Sequence, residues 1–176
     1  MCVGLVTGAV NVDQRKADLE QLMKEYPNIF DGQCRQMTGP PCHLQLVDGA
    51  VPVAMRGSRP VSVPLLPRLK TELQNLENAE IIRKVTKPTA WVHPIVVVPK
   101  KNGDIRVAID FRKLNRCIIR PNFETSTPFQ DVRTIPVGMQ FFTVIDALKG
   151  YHQVPLDSES IDLTTFSTPF GRYQYL

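Results

Sequence analysis

Long apolar runs are missing from these 176 residues. No stretch approaches the roughly 20 apolar residues of a membrane-spanning helix, so a membrane partner is not expected. Met1 to Val10 is apolar but has no basic start and no small-residue cleavage site, which argues against a signal peptide. Cysteine is scarce as well: Cys2, Cys34, Cys42 and Cys117 lie 32, 8 and 75 positions apart. That spacing fits neither a paired zinc knuckle nor a dense disulfide framework, and reduced thiols inside a cell are expected. The pair Cys42-His43 has no second pair to match it. What is present, 43% hydrophobic and 22% charged residues, is the composition of a folding chain of one domain or a domain and a half. Fifteen prolines and ten glycines favour strands and loops over long helices.

Net charge is a modest +4, but it is unevenly spread. Between Arg83 and Arg120, ten Lys and Arg stand against two Asp, a local balance of +8 that leaves −4 for the rest. Such a segment suits a polyanionic partner, and a solvated face is the alternative.

Along the chain, Leu19, Leu22, Met23 and Tyr26 give helical spacing over Asp13 to Tyr26, and Pro27 ends it. Asn28 to Pro41 reads as loop, His43 to Val47 as an edge strand before the Asp48-Gly49 turn. Leu66, Leu69, Leu73 and Leu76 mark the best helix, which starts near Ser62 or Leu65 and runs on into Ala79 to Lys84. Trp91 to Pro99 and Ile105 to Phe111 are two strands, joined by a basic hairpin turn at Lys100 to Asp104. Basic hairpin tips can grip phosphates, and they can also simply keep a hairpin soluble. Pro121 to Gly138 reads as loop with a short turn or helix. Ser158 to Leu163 reads as a helical turn, Thr164 to Phe166 as a strand, and Phe170 to Leu176 as another hairpin arm, so the chain is expected to be cut within a strand.

The stretch Phe141-Phe142-Thr143-Val144-Ile145-Asp146 reads as a buried strand with a carboxylate at its tip, followed by Gly150 and Tyr151. An unpaired buried charge is costly, so Asp146 either caps the next turn or ligates a cation.

Several blocks in order resemble the reverse transcriptase of Ty3/gypsy-type long-terminal-repeat retrotransposons. They are His43-Leu44-Gln45-Leu46, Trp91 to Val98, Lys100-Lys101-Asn102-Gly103-Asp104-Ile105-Arg106 and Asp110 to Asn115. The most specific are Asp146-Ala147-Leu148-Lys149-Gly150-Tyr151-His152-Gln153 and Thr165 to Tyr173. The resemblance covers residues 28 to 176. It implies an α+β fold, the fingers subdomain of a right-hand polymerase over 28–120 and an incomplete palm from 121 to 176, with 1–27 as a connector. By resemblance, Asp146 is the first catalytic aspartate and a Mg²⁺ ligand, and Ala147, Leu148 and Tyr151 meet the incoming dNTP. Lys100, Lys101 and Arg106 hold its triphosphate; Arg112 and Asn115 lie near the template. The implied partners are an RNA or DNA template-primer, dNTPs and the remainder of a polyprotein. Reverse transcription by such elements is expected in cytoplasmic particles, although no residue here is an address.

Departures from the pattern bear on activity. No Asp-Asp pair occurs anywhere in the sequence, although the family carries a second carboxylate pair in an aromatic-x-Asp-Asp hairpin. One carboxylate of three cannot hold two Mg²⁺ ions about 4 Å apart, so the chain alone is expected not to polymerise. Glu80 stands where the family usually has glycine. An incomplete palm is also expected to leave an unpaired sheet edge and marginal stability. The alternative function is a non-catalytic nucleic-acid-binding or interaction module derived from a retroelement.

Overall fold

Leu69, Leu73 and Leu76 recur on one face of the helix α3 (Leu66–Asn78) and are almost completely buried. A helix that shows an apolar stripe must cover it, and a sheet supplies the cover here. Ile81, Ile82, Ile95, Phe166 and Tyr173 close around the three leucines as one core cluster. Pro64 lies in a single 3-10 turn, Val63–Leu65, and Pro67 falls within the first two positions of α3, where a missing N–H costs little.

The computed structural model describes residues 12–100, 103–139 and 146–176. Lys101 and the strand expected over 141–145 lie outside these described residues. The described residues form two compact units, 12–35 with 146–153 and 36–100 with 103–139 and 154–176. In the first unit α1 (Val12–Glu25) ends before Pro27, as the sequence predicts, and α2 (Pro27–Phe30) follows it directly.

The second unit is built on a five-stranded sheet, with β1 (Ile82–Val85), β2 (His93–Pro99), β3 (Ile105–Ile109), β4 (Phe166–Thr168) and β5 (Gly171–Tyr175). The order is β1-β5-β4-β2-β3, with β2 and β4 parallel and all other pairs antiparallel. Ile95 pairs with Ile109 and Val97 with Val107, which puts Ile105, Val107 and Ile109 on the face packed against the core. On the other face, α6 (Ser158–Leu163) is tied down by Lys87–Asp162 at 2.7 Å and by Tyr175 N–H on Thr164 Oγ1 at 3.1 Å. Buried Gln174 accepts from Arg83 Nε and Nη2, both at 2.6 Å, with its amide oxygen turned toward the guanidinium.

Three expectations are corrected. Residues 79 to 84 do not continue α3. Ile81 N–H bonds Leu76 C=O and Glu80 N–H bonds Glu77 C=O, both at 3.0 Å, a Schellman stop with Glu80 left-handed at φ 54. The β-branched residues after it enter β1 instead. His43 to Val47 is not a strand: Cys42 bridges Leu156 and Leu46 bridges Ile118, so two separate partners hold it at single points. Asn28 to Phe30, expected as loop, is helical, because Pro27 in the first two positions of α2 starts a short helix rather than only ending one.

Candidate functional site

In the first unit, Asp146, Ala147 and Leu148 are exposed and lead into a 3-10 turn, Gly150–Gln153. Lys149 is left-handed at φ 51, and a Cβ at Gly150 would lie 3.3 Å from the Cβ of Ala147. Glycine therefore suits this close approach. His152 N–H donates to Lys149 C=O at 2.7 Å, and Gln153 Nε2 donates to Leu148 C=O at 2.8 Å. Tyr151 projects with 98% of its surface exposed, so packing does not account for its ring. In the same unit, Asp31 is bonded to Arg35, whose guanidinium draws the carboxyl down to about 2. Asp146 has no ion-pair partner among the described residues, and these contain no group of three His, Cys, Asp or Glu that could hold a metal ion. One carboxylate does not amount to a two-metal site.

In the second unit, the β2–β3 hairpin closes with Lys100 N–H on Asp104 C=O at 2.7 Å and Gly103 N–H on Lys100 C=O at 3.1 Å. Gly103 takes φ 87, and Arg68 of α3 bonds its carbonyl. Lys100 is exposed at this tip. Arg106 sits opposite Val98 and is exposed, because its neighbours Ile105 and Val107 occupy the core face.

A groove of about 380 Å³ lies at the other end of the hairpin. The bridge between Ala54 and Val92 lays the 53–59 segment along the start of β2, while Asp110 N–H on Pro94 C=O, at 2.9 Å, brings the exit of β3 beside it. The short helix α4 (Arg112–Asn115) follows, anchored by Leu114 at 2% exposure. Arg59, Arg112, Lys113 and Arg116 all line the groove, with Asp110 as its carboxylate. Arg112 grips Asp110 with two bonds, Nε to Oδ1 at 2.8 Å and Nη2 to Oδ2 at 2.6 Å. That grip, aided by Arg59, holds the Asp110 carboxyl well below the usual carboxylate range. Arg59, Lys113 and Arg116 have no ion-pair partner among the described residues, which leaves the lining distinctly cationic. His93 forms part of the wall, stacked on Trp91 and edge-on to Phe111, with Nε2 2.9 Å from Leu163 C=O. Burial pushes its pKa down, so it adds shape rather than charge.

The structure thus gathers Arg112 with three cations that the sequence reading did not single out as site residues. Asn115 lies on the same helix but does not line the groove. The signal that could have found Lys113 and Arg116 is the basic segment itself. Arg59 lies outside that segment, and no local pattern connects it. Asp146, Ala147, Leu148 and Tyr151 belong to one unit; Lys100, Arg106, Arg112 and Asn115 belong to the other.

Residues 98–176 match the family described as reverse transcriptase (RNA-dependent DNA polymerase). The chain is 39% identical, over 61% of its length, to the retrovirus-related Pol polyprotein from transposon 297 of Drosophila melanogaster, and covers 10% of that protein. With the Pol polyprotein from transposon opus of the same organism it shares 28% identity over 99% of this chain and 18% of the relative. The chain thus spans less than a fifth of these relatives. Among solved structures, the foamy viral protease-reverse transcriptase in complex with dsDNA superposes with a TM-score of 0.74 at 18% identity, covering 94% of this chain and 34% of that one. The fold is the mixed α+β arrangement of the fingers and palm region of such enzymes. The chain carries a reverse-transcriptase-type region related to several retroelement and retroviral Pol proteins.

Proposed function

We propose that this relative of retroelement and retroviral reverse transcriptases forms the fingers and first part of the palm of an RNA-directed DNA polymerase, of the Ty3/gypsy type, within a longer polyprotein. The observation that carries the reading is the groove lined by Arg59, Arg112, Lys113 and Arg116. Phosphodiesters are recognised by multidentate cations, and a lining with one carboxylate against four such groups suits a nucleic-acid backbone and repels little of it.

In this reading Arg112, with Asn115 close by on α4, meets the template strand. Lys100, Lys101 and Arg106 offset charge on the triphosphate of a dNTP. The backbone of Ala147 and Leu148 is the part of its own unit that meets an incoming nucleotide, and the exposed ring of Tyr151 excludes a 2′-hydroxyl by bulk. Asp146 supplies one hard carboxylate of the kind that binds Mg²⁺, the ion that would activate a primer 3′-hydroxyl in a complete enzyme.

The test is the binding of a template-primer to the purified chain over a range of salt. A log-log dependence that flattens by about 0.7 to 0.9 for each of Arg59, Lys113 and Arg116 changed to Ala is the expected result. No salt dependence, or none removed by these changes, would rule the groove out. The second reading, a binding module without catalysis, draws on the same cationic groove, which needs no reacting group to hold a phosphate backbone. Asp146→Asn in a chain extended to include an aromatic-x-Asp-Asp hairpin separates the two. Polymerisation abolished with binding intact supports the enzyme; no polymerisation even before the change supports the module.

A further inference from the structure

We propose that Gln153 is a positioning residue, whose side-chain amide holds the Leu148–Gly150 backbone in the shape that meets a nucleoside triphosphate. The proposal rests on the reading above for its ligand, but the tether stands on geometry alone.

Gln153 Nε2 donates to the Leu148 carbonyl at 2.8 Å, five positions back. A peptide unit is planar and trans, so fixing the Leu148 carbonyl also fixes the opposite direction of the Lys149 N–H. The next unit is tied in the same way. His152 N–H holds the Lys149 carbonyl at 2.7 Å, and this sets the direction of the Gly150 N–H. Neither N–H is bonded to a described residue. Two successive N–H groups are therefore aimed by two tied carbonyls, in a turn whose residue Lys149 is left-handed at φ 51. Turns of this kind present converging N–H groups to an anion. A left-handed conformation is disfavoured for a residue with a Cβ, so a bare loop would tend to leave it. Gly150 removes one obstacle, since a Cβ there would come within 3.3 Å of Ala147 Cβ. Gln153 supplies the restraint. An amide is suited to this, because it donates without adding a charge beside the phosphates.

The experiment is NMR on the whole 176-residue chain as wild type, Gln153→Glu and Gln153→Met. Glutamate keeps the shape and, when ionised, loses the donor; methionine loses the donor without adding charge. In both variants the Leu148 carbonyl resonance should shift, and the His152 N–H should exchange roughly fivefold to tenfold faster, the worth of one net hydrogen bond. The amides of β2 and β3 should exchange as before, which reports that the sheet remains folded.

Titration with Mg²⁺ and dATP, against adenosine as control, then reads the positioning. The Lys149 and Gly150 N–H resonances should move with dATP in the wild type. Gln153→Met should lower dATP affinity by a similar factor and leave adenosine unaffected, a selectivity that general loosening would not produce. If His152 exchange is unchanged in both variants, the tether is not there and the proposal falls. If dATP binds wild type and Gln153→Met equally, the nucleotide reading survives and the role of Gln153 is overturned. Should dATP fail to move either resonance in the wild type, the nucleotide reading itself fails, taking the proposal with it.

Discussion

His43 Nδ1 lies 2.6 Å from Asp157 Oδ2, across 114 positions of sequence. A carboxylate accepts only, so the imidazole nitrogen carries the proton. Asp157 also caps α6, accepting the Ser160 N–H at 2.8 Å, and its own N–H meets the Cys42 carbonyl at 3.1 Å. One aspartate thus fastens a loop segment to the start of a helix.

That arrangement has a pH signature. Hydrogen bonds from Ser160 first, then from His43, lower the Asp157 carboxyl from its ordinary 3.8 to about 2. The unfolded chain takes up this proton at the higher pH, so the stabilisation is complete above about 4 and is lost as pH falls toward 2. Urea midpoints measured from pH 6 to pH 2 should drop less steeply below pH 4 in Asp157→Asn than in the wild type. The variant should already be less stable at pH 6. Parallel curves would show that the capping bonds have no net worth.

Glu80→Gly should stabilise the chain. Glu80 occupies the left-handed position of the Schellman stop after α3, where a Cβ costs about 1 to 2 kcal/mol. Glycine recovers that strain and forfeits part of it to unfolded-chain entropy, leaving a net gain of about 0.5 to 1 kcal/mol. A raised melting temperature checks it; a lowered one would mean that the Glu80 side chain has a function the backbone does not show.

Leu73→Ala tests the core directly. Leu73 is 2% exposed within the cluster that joins α3 to the sheet. A loss of about 2 to 5 kcal/mol is expected from chemical unfolding, the range for emptying a well-packed leucine site.

Primer extension by the purified 176-residue chain is expected to be undetectable, because no Asp-Asp pair exists in its sequence to join Asp146. The assay is incorporation of labelled dNTP on a primed template with Mg²⁺. Incorporation that disappears in Asp146→Asn would overturn this expectation.

Local patterns made much of this fold legible. The leucine spacing marks α3, and the turn at Gly103 between two β-branched runs marks the β2–β3 hairpin. The capping box at α5 (Pro128–Thr134), Thr127 with Gln130, explains why a short helix forms in a proline-bordered loop. What escaped was written in distant residues. The stop after α3 uses a glutamate where a glycine would have announced it, so Ala79 to Lys84 read as more helix. His43 to Val47 alternates like a strand, yet its partners come from two places far apart in sequence. The catalytic-type block around Asp146 is plain as a pattern, whereas the groove depends on Arg59 meeting α4 across the start of β2. Gln153 lay inside a quoted motif, but a motif does not say which carbonyl a side chain will reach.

The pairing of β5 on both sides, with β1 and with β4, also bears on how the molecule is made. β1 leaves the ribosome early but hydrogen-bonds to β5, with Val85 paired to Arg172. Until that late segment emerges, the nascent chain carries a strand without a ladder and a leucine-rich helix only partly covered. Topologies of this kind fold slowly, because long loops must close before contacts reward them. Meanwhile the waiting surface is open to other chains. For this protein the vulnerable period is its synthesis, before β5 has emerged to cover β1.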